Sequence, residues 1–378
     1  MGMTRAEPPA GEQPWVLQFC HGYDGPFLDC AREYTALFVG TPYKVCTVYL
    51  TGAPSDEVVR GSASDEVIFL EHSSRAVRGL KLKAVAQIRR IAASRDFRLC
   101  IAHRFKPVYV ALLGTSLPVI GVHHAFGDYR RRSRRLFANF FSKRLALLGV
   151  SNAVRDDMRA CLPNWPAERI ETLYNRIDVA TVQGEQVSRE AAREFLGLPQ
   201  EAWVVGNVGR LHPDKDQATL IRGFARALPQ LPSGSLLAIM GSGRLESSLK
   251  ALAAELGIAE QVRFLGQVPQ GRRYFKAFDV FALTSDHEPF GMVLLEAMAA
   301  GVPVVCSDCG GGREVVEGSG ELFALGHADG LAASLHRIQQ RAPGERQSMQ
   351  LHAFDALLQK YSDQAVRPSF WCFMERVQ

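Results

Sequence analysis

The feature that most constrains this chain is an alternation, repeated twice, of short apolar runs with longer amphipathic stretches. Runs at 15–19, 44–49, 67–70, 99–102, 119–122 and 146–150 predict strands, and stretches at 28–37, 78–93, 129–142 and 153–160 predict helices. A second series opens with a strand at 203–208. It continues through helix 217–227, strand 235–240, helix 245–256, strand 262–265, helix 272–277, strand 280–283, helix 292–300 and strand 302–306. Apolar runs without polar alternation are the mark of strands buried on both faces, as in parallel sheets flanked by helices. Two such series in 378 residues predict two doubly wound α/β domains, at 1–178 and 179–355. A tail at 356–378, carrying Phe370, Trp371 and Phe373, is expected to pack back on the first domain. Ligands of such sheets bind beyond the carboxyl ends of the strands, so the expected site is a cleft between the domains.

Charge divides along the same line. Residues 1–178 carry 25 Lys+Arg and 17 Asp+Glu, a balance of +8, and the remainder carries 19 and 22, a balance of −3. A basic first half points to an anionic partner on that side. Global disorder is excluded, because 47% of the residues are hydrophobic. The start of the chain is polar and lacks an apolar h-region, so no signal peptide is expected. A long apolar stretch free of charge and histidine, 107–122, is short for a membrane span and is broken by Gly114 and Pro118. Eight cysteines follow no framework spacing. They read as reduced thiols, and the expected compartment is the cytoplasm.

The most informative segment is Thr284-Ser285-Asp286-His287-Glu288-Pro289-Phe290-Gly291-Met292, leading into a helix that contains Glu296. A strand ends near Ser285 and a loop delivers Glu288. Pro289 suits a first helical turn, because it has no N–H to lose. The amides of Phe290, Gly291 and Met292 are then expected to form an anion site, with Gly291 admitting close approach to the backbone. Glu296 lies about two turns in, placed for a sugar hydroxyl.

Glu288 and Glu296, with seven residues between them, resemble the E-x7-E motif of retaining glycosyltransferases of the GT-B fold, especially family 4. The flanking Phe-Gly and Glu-Ala-Met-Ala-Ala-Gly-Val-Pro-Val-Val are similar to the same family. The resemblance implies that Glu288 contacts the transferred sugar and Glu296 the nucleotide ribose. Gly209-Arg210-Leu211, followed by Lys215, resembles the family's G-R-L-x-x-x-K signature. It implies that Arg210 and Lys215 offset the diphosphate charge, for which an Arg fork and a Lys point charge are chemically suited. The expected fold is GT-B, two Rossmann-like doubly wound domains facing a central cleft. The donor is a nucleoside diphosphate sugar, UDP-sugar by expectation, and no metal or other cofactor is expected.

Further segments fall where the family has ligand loops. They are Gly241 and Gly243 near the nucleotide, Val268 by the base, and the Gly310-Gly311-Gly312 run. Each glycine reads equally well as a turn residue. Pro118-Val119-Ile120-Gly121-Val122-His123-His124 is similar to the family strand ending in an active-site histidine. His124 is the favoured catalytic residue and His123 the alternative, counted among the donor contacts. Gly22 and Gly25 occupy the place of a glycine loop, although the adjacent Gly-Gly of the family is absent. Asp214-Lys215-Asp216 spells D-x-D inside the Arg/Lys loop. Asp216 is expected to be a helix N-cap, not a metal ligand. The lone Cys306-Ser307-Asp308-Cys309 reads as coincidence. The resemblance spans about residues 15–330, with its specific motifs in 206–305.

The run Arg130-Arg131-Arg132-Ser133-Arg134-Arg135, with Lys143 and Arg144, is open to three readings. They are a solvated helix face, contact with an anionic membrane at the inner face of the inner membrane, and contact with a phosphorylated acceptor. No nucleic-acid motif accompanies it. Within the family the chain resembles bacterial lipopolysaccharide core transferases, implying a glycan or glycolipid acceptor. Two other classes stay open: a sucrose-phosphate-type synthase or phosphorylase acting on a soluble acceptor, and a non-catalytic nucleotide-sugar-binding module.

Overall fold

The computed structural model describes residues 13–25 and 27–377. The chain divides into two compact units. One runs to Leu173 and includes the chain from Arg367 onward; the other runs from Tyr174 to Val366. The boundary after Leu173 falls a few residues before the expected 178/179. Of the expected tail, helix Asp363–Val377 contains the return at Arg367.

The first unit is built on seven strands: β1 (Trp15–Cys20), β2 (Lys44–Thr51), β3 (Glu66–His72), β4 (Phe97–His103), β5 (Val119–His123), β6 (Leu145–Gly149) and β7 (Ile170–Thr172). Their order is β3-β2-β1-β4-β5-β6-β7 and every pairing is parallel. The second unit has six: β8 (Val204–Val208), β9 (Leu236–Met240), β10 (Val262–Gly266), β11 (Val280–Leu283), β12 (Val304–Ser307) and β13 (Glu321–Phe323). Their order is β10-β9-β8-β11-β12-β13, again all parallel. Both are the Rossmann order, in which the chain winds to one edge, returns to the middle and winds to the other.

The apolar runs are strands because helices cover both faces. In β9 every residue is buried, and Leu237 and Ile239 share a core with Leu220, Phe224, Leu331 and Leu335 from two helices on one face. Gly223 lets those helices close, since a Cβ there would lie 2.6 Å from Leu331 Cδ2. Caps fix the helix starts. Ser151 Oγ accepts from Val154 N–H, and Ser188 Oγ from Ala191 N–H. From the return segment, Phe370 and Trp371 pack on Phe38, and Trp371 Nε1 donates to the Leu37 carbonyl at 3.3 Å.

Several expectations change, among them the helix over 78–93, which runs Leu82–Ala92. The helix expected at 272–277 is a 3₁₀ segment, Gly271–Ala277. The helix over 129–142 is shorter, Arg132–Phe140, because Tyr129 is buried and bonded to His123. Pro289 does not open a helix. Gly291 at φ +96 cannot belong to a right-handed turn, so it caps the helix Met292–Ala299 from outside. Among the described residues no helix is long and apolar enough to cross a membrane.

Candidate functional site

In the second unit, β8 and β11 are neighbours whose onward connections run to opposite edges, which opens a crevice at their carboxyl ends. Both motifs arrive there. Lys215, on the loop after β8, donates from Nζ to Glu288 Oε2, on the loop after β11, at 2.7 Å. Ser285 Oγ donates to the same oxygen at 3.0 Å. Glu288 is 6% exposed, so the pair is largely withdrawn from solvent, and losing either partner would leave a costly buried charge.

The two loops are tied together. Thr284 Oγ1 donates to the carbonyls of Lys215 and Asp216, each at 3.0 Å, and the Asp286 N–H donates to the Asp214 carbonyl at 3.1 Å. Ser307 Oγ and the Cys309 thiol both donate to the Ser285 carbonyl, at 2.6 and 2.9 Å. Cys309 is therefore a brace, a role its C-x-x-C spacing did not suggest. Burial pushes the Cys306 thiol well up, with Cys309 and Glu288 adding to the effect.

The glycines permit close backbone approaches. A Cβ on Gly241 would lie 1.9 Å from the Gly209 carbonyl oxygen, and one on Gly243 would lie 2.4 Å from that of Leu211. Gly311 N–H donates to the Glu288 carbonyl at 2.8 Å, and a Cβ there would lie 2.3 Å from the Pro289 oxygen. A Cβ on Gly312 would come within 2.9 Å of Cys306 Sγ. Helix Gly310–Val316 thus rides directly against the loop that carries Glu288.

Arg210 differs from Lys215. Its side chain is 71% exposed and is held by Asp214 at 3.3 Å, a kind of pair that contributes about 0–1 kcal/mol. Asp214 also accepts from His212 Nδ1 at 2.5 Å, and Asp216 caps the helix Gln217–Ala227 by accepting from Thr219 N–H. Both D-x-D carboxylates thus have work inside the loop. Glu296 and Met292 are half-buried on the helix after Gly291, and Val268 is half-buried after β10. Phe290 is buried, its ring against Tyr174 and Tyr361.

In the first unit the expected histidine pair separates. His123 is fully buried, with Nδ1 2.6 Å from Asp128 Oδ2 and Nε2 3.0 Å from the Tyr129 hydroxyl. Both ring nitrogens have partners within the unit, which leaves His123 none to offer the expected donor contact. His124 is half-buried; its Nε2 lies 3.1 Å from His103 Nδ1, and the two rings stack. Burial holds His124 well below the ordinary histidine value, helped by His103 and His123, and it brings His103 down to about 3. Gly22 lies against Thr51, and Gly25 takes φ +61 in a turn with open space around it.

Known proteins bear on this arrangement. Residues 41–181 match the model of Glycosyltransferase Family 4, and residues 188–350 match that of Glycosyl transferases group 1. Each stretch of the chain thus matches a glycosyltransferase domain model, and the two models together cover most of it. It is 36% identical over 195 residues to a D-inositol 3-phosphate glycosyltransferase of Nocardia farcinica, covering 46% of this chain and 43% of that one. It is 34% identical over 189 residues to the lipopolysaccharide core biosynthesis glycosyltransferase LpsE of Rhizobium meliloti, covering 48% and 54%. The chain spans about half the length of these curated relatives. The crystal structure of Anabaena HepE in complex with UDP and glucose superposes with a TM-score of 0.77 at 21% identity, covering 97% of this chain and 100% of that one. At that identity the likeness is one of fold.

Two sets of residues carry little signal in the sequence. Ser285, Thr284 and Ser307 brace Glu288, and the only sequence signal was small hydroxyl residues at strand ends. His21, Arg104 and Lys106 follow β1 and β4, and the signal was a His-Arg-Phe-Lys run directly after an apolar strand.

Proposed function

We propose that this protein transfers a hexose or N-acetylhexosamine from a nucleoside diphosphate sugar, a UDP-sugar, to a glycan or glycolipid acceptor, with retention and without a metal. The observation that carries the reading is the Lys215–Glu288 pair at the β8/β11 crevice, with Arg210 on the same loop. Arg210 and Lys215 meet the diphosphate, Glu296 the ribose and Glu288 the sugar. His124, the partly exposed member of its pair, contacts the sugar. In the reaction the acceptor oxygen bonds to the anomeric carbon as the bond to the β-phosphate oxygen breaks. Front-face attack lets the departing phosphate take the acceptor proton. The Rhizobium relative supports a lipopolysaccharide core acceptor, and the Anabaena complex supports UDP as the nucleotide. Action at an anionic membrane surface in the cytoplasm belongs to the same reading.

Calorimetry with UDP and a UDP-sugar tests it. Glu296→Gln weakens both ligands, because they share the ribose. Glu288→Gln spares UDP and weakens the UDP-sugar. Equal loss of UDP affinity in both variants refutes this division of roles, and loss of activity in chelator refutes metal independence.

A further inference from the structure

In the first unit the sheet order reverses between β1 and β4, and the residues that follow those strands are His21, then Arg104 and Lys106. Arg104 has φ +73 and ψ 162, a region that glycine fills and other residues enter only under strain. Its N–H donates to the Val122 carbonyl at 2.8 Å, and its guanidinium lies 4.6 Å from the centre of the Phe27 ring. An arginine kept where glycine would relieve strain points to work for its side chain. Lys106 sits two residues on, in the first turn of helix Phe105–Gly114.

Both cations are half-buried, and among the described residues neither has an ion-pair partner. Burial lowers Lys106 from the ordinary lysine value, and Arg104, Arg78 and Arg134 lower it further. Arg134 is already matched by Asp128 at 2.7 Å. His21 completes the group. Its Nδ1 is buried and has no hydrogen-bond partner among the described residues, and burial, followed by Lys106 and Arg104, brings the ring down to about 4. The exposed Asp24 acts on His21 in the opposite sense, but less than the two cations do, and crowding like charges beside a neutral imidazole stays unfavourable until a further anion joins them.

We propose that Arg104 and Lys106, with His21 beside them, form a subsite on the first unit for a phosphate group carried by the acceptor. The inference rests on the transferase reading above and adds the acceptor's chemistry. A guanidinium fork and an ammonium suit phosphate oxygens, and the amides opening a ten-residue helix add to the attraction. The imidazole Nδ1 can share a hydrogen bond with a protonated phosphate oxygen.

The test is calorimetry on the full chain saturated with UDP, with inorganic phosphate, glucose 6-phosphate and glucose as probes. Both phosphates bind the wild type and glucose does not. Arg104→Gly and Lys106→Gln each weaken phosphate binding by about tenfold or more, as expected for a lost charged hydrogen bond, while UDP affinity is unchanged. Arg104→Gly also melts at or above the wild-type temperature, which shows the fold intact. The subsite is refuted if the variants bind phosphate as the wild type does, or if the wild type binds neither phosphate at millimolar concentration. It is refuted equally if UDP affinity falls together with phosphate affinity, since the cations would then serve the donor. The transferase reading fails on a different number, the wild-type affinity for UDP.

Discussion

The two sheets share one winding order, yet the loops at their reversal points carry opposite chemistry. After β8 and β11 come Lys215 and Glu288, a matched pair closed at 2.7 Å and braced by Ser285 and Thr284. After β1 and β4 come His21, Arg104 and Lys106, cations and a neutral imidazole with no ion-pair partner among the described residues. Topology decides where side chains converge, and loop composition decides what they can hold. In the proposed reading this pair turns Lys215 to the diphosphate and Glu288 to the sugar, with the lysine's charge already matched inside the protein. An unmatched cationic group calls for a charged partner.

The comparison breaks most sharply at Lys215. Lys215→Ala leaves Glu288 buried without its cation, at a cost of about 3 kcal/mol or more in stability. Turnover falls by about 10²–10³-fold, the scale of losing one preorganised donor. Glu288→Gln gives a similar loss in turnover, and the double variant is little worse than the poorer single one, because both remove the same interaction. Steady-state kinetics on the three variants checks this. Additive losses would mean that the two residues act separately.

Much of this pair's setting was legible in the sequence, though the pair itself was not. β9 is apolar throughout, and β1 is apolar apart from Gln18, because helices cover both faces, and both read directly from composition. The missed strands, β7 and β13, are three residues long, lie at sheet edges and include Glu171 and Glu321. Such short segments have no pattern to detect. Lys215 and Glu288 were each visible in a motif, but 73 positions separate them, and only the order β8-β11 makes them neighbours. The Gly311 and Gly312 positions look like turn residues in sequence, and only the approach of the Pro289 oxygen and Cys306 Sγ explains them. For His123 and His124 the sequence left the choice open. The β5 register directs the first ring inward onto Asp128 and Tyr129, which the sequence alone could not show.

The second way to sharpen the contrast uses the charge difference between the units. The structure sorts the basic run. Arg130 pairs with Asp157, Arg134 pairs with Asp128, and Arg144 donates to the carbonyls of Thr115 and Leu117. Arg131 and Arg132 are exposed and Arg135 is half-buried, beside Leu136 and Phe140, which are 71% and 81% exposed on the same helix. Cations flanking outward apolar side chains fit an anionic bilayer, where each Lys or Arg contributes about 1 kcal/mol. Reversing Arg131, Arg132 and Arg135 to Glu abolishes co-sedimentation with anionic vesicles and leaves UDP binding unchanged. Wild-type binding weakens as salt rises, because attraction fades over about 8 Å at physiological ionic strength. Undiminished binding by the reversed variant returns the run to a solvated helix face.

The smallest effect expected is a difference in acid sensitivity. His103 is brought down to about 3 and His21 to about 4, both chiefly by burial, and His124 is well below the ordinary value. All three lie in the first unit. Their folded-state values are below the unfolded value, so between about pH 6.5 and 4 the unfolded chain binds protons that the folded chain does not. Stability therefore falls as pH falls through that window, and it is fully present above it. For a histidine as buried as His103, the linkage removes on the order of 1 kcal/mol on going from pH 7.5 to pH 6. The partly exposed His21 contributes less. Hydrogen exchange at the two pH values, corrected for intrinsic rates, then shows earlier opening at the ends of β1, β4 and β5 in acid. His103→Gln keeps a neutral polar group there and removes part of the dependence. Equal protection of those strand ends at both pH values would show that the imidazoles take up protons without unfolding, and that the first unit accepts charge at its reversal point as readily as water does.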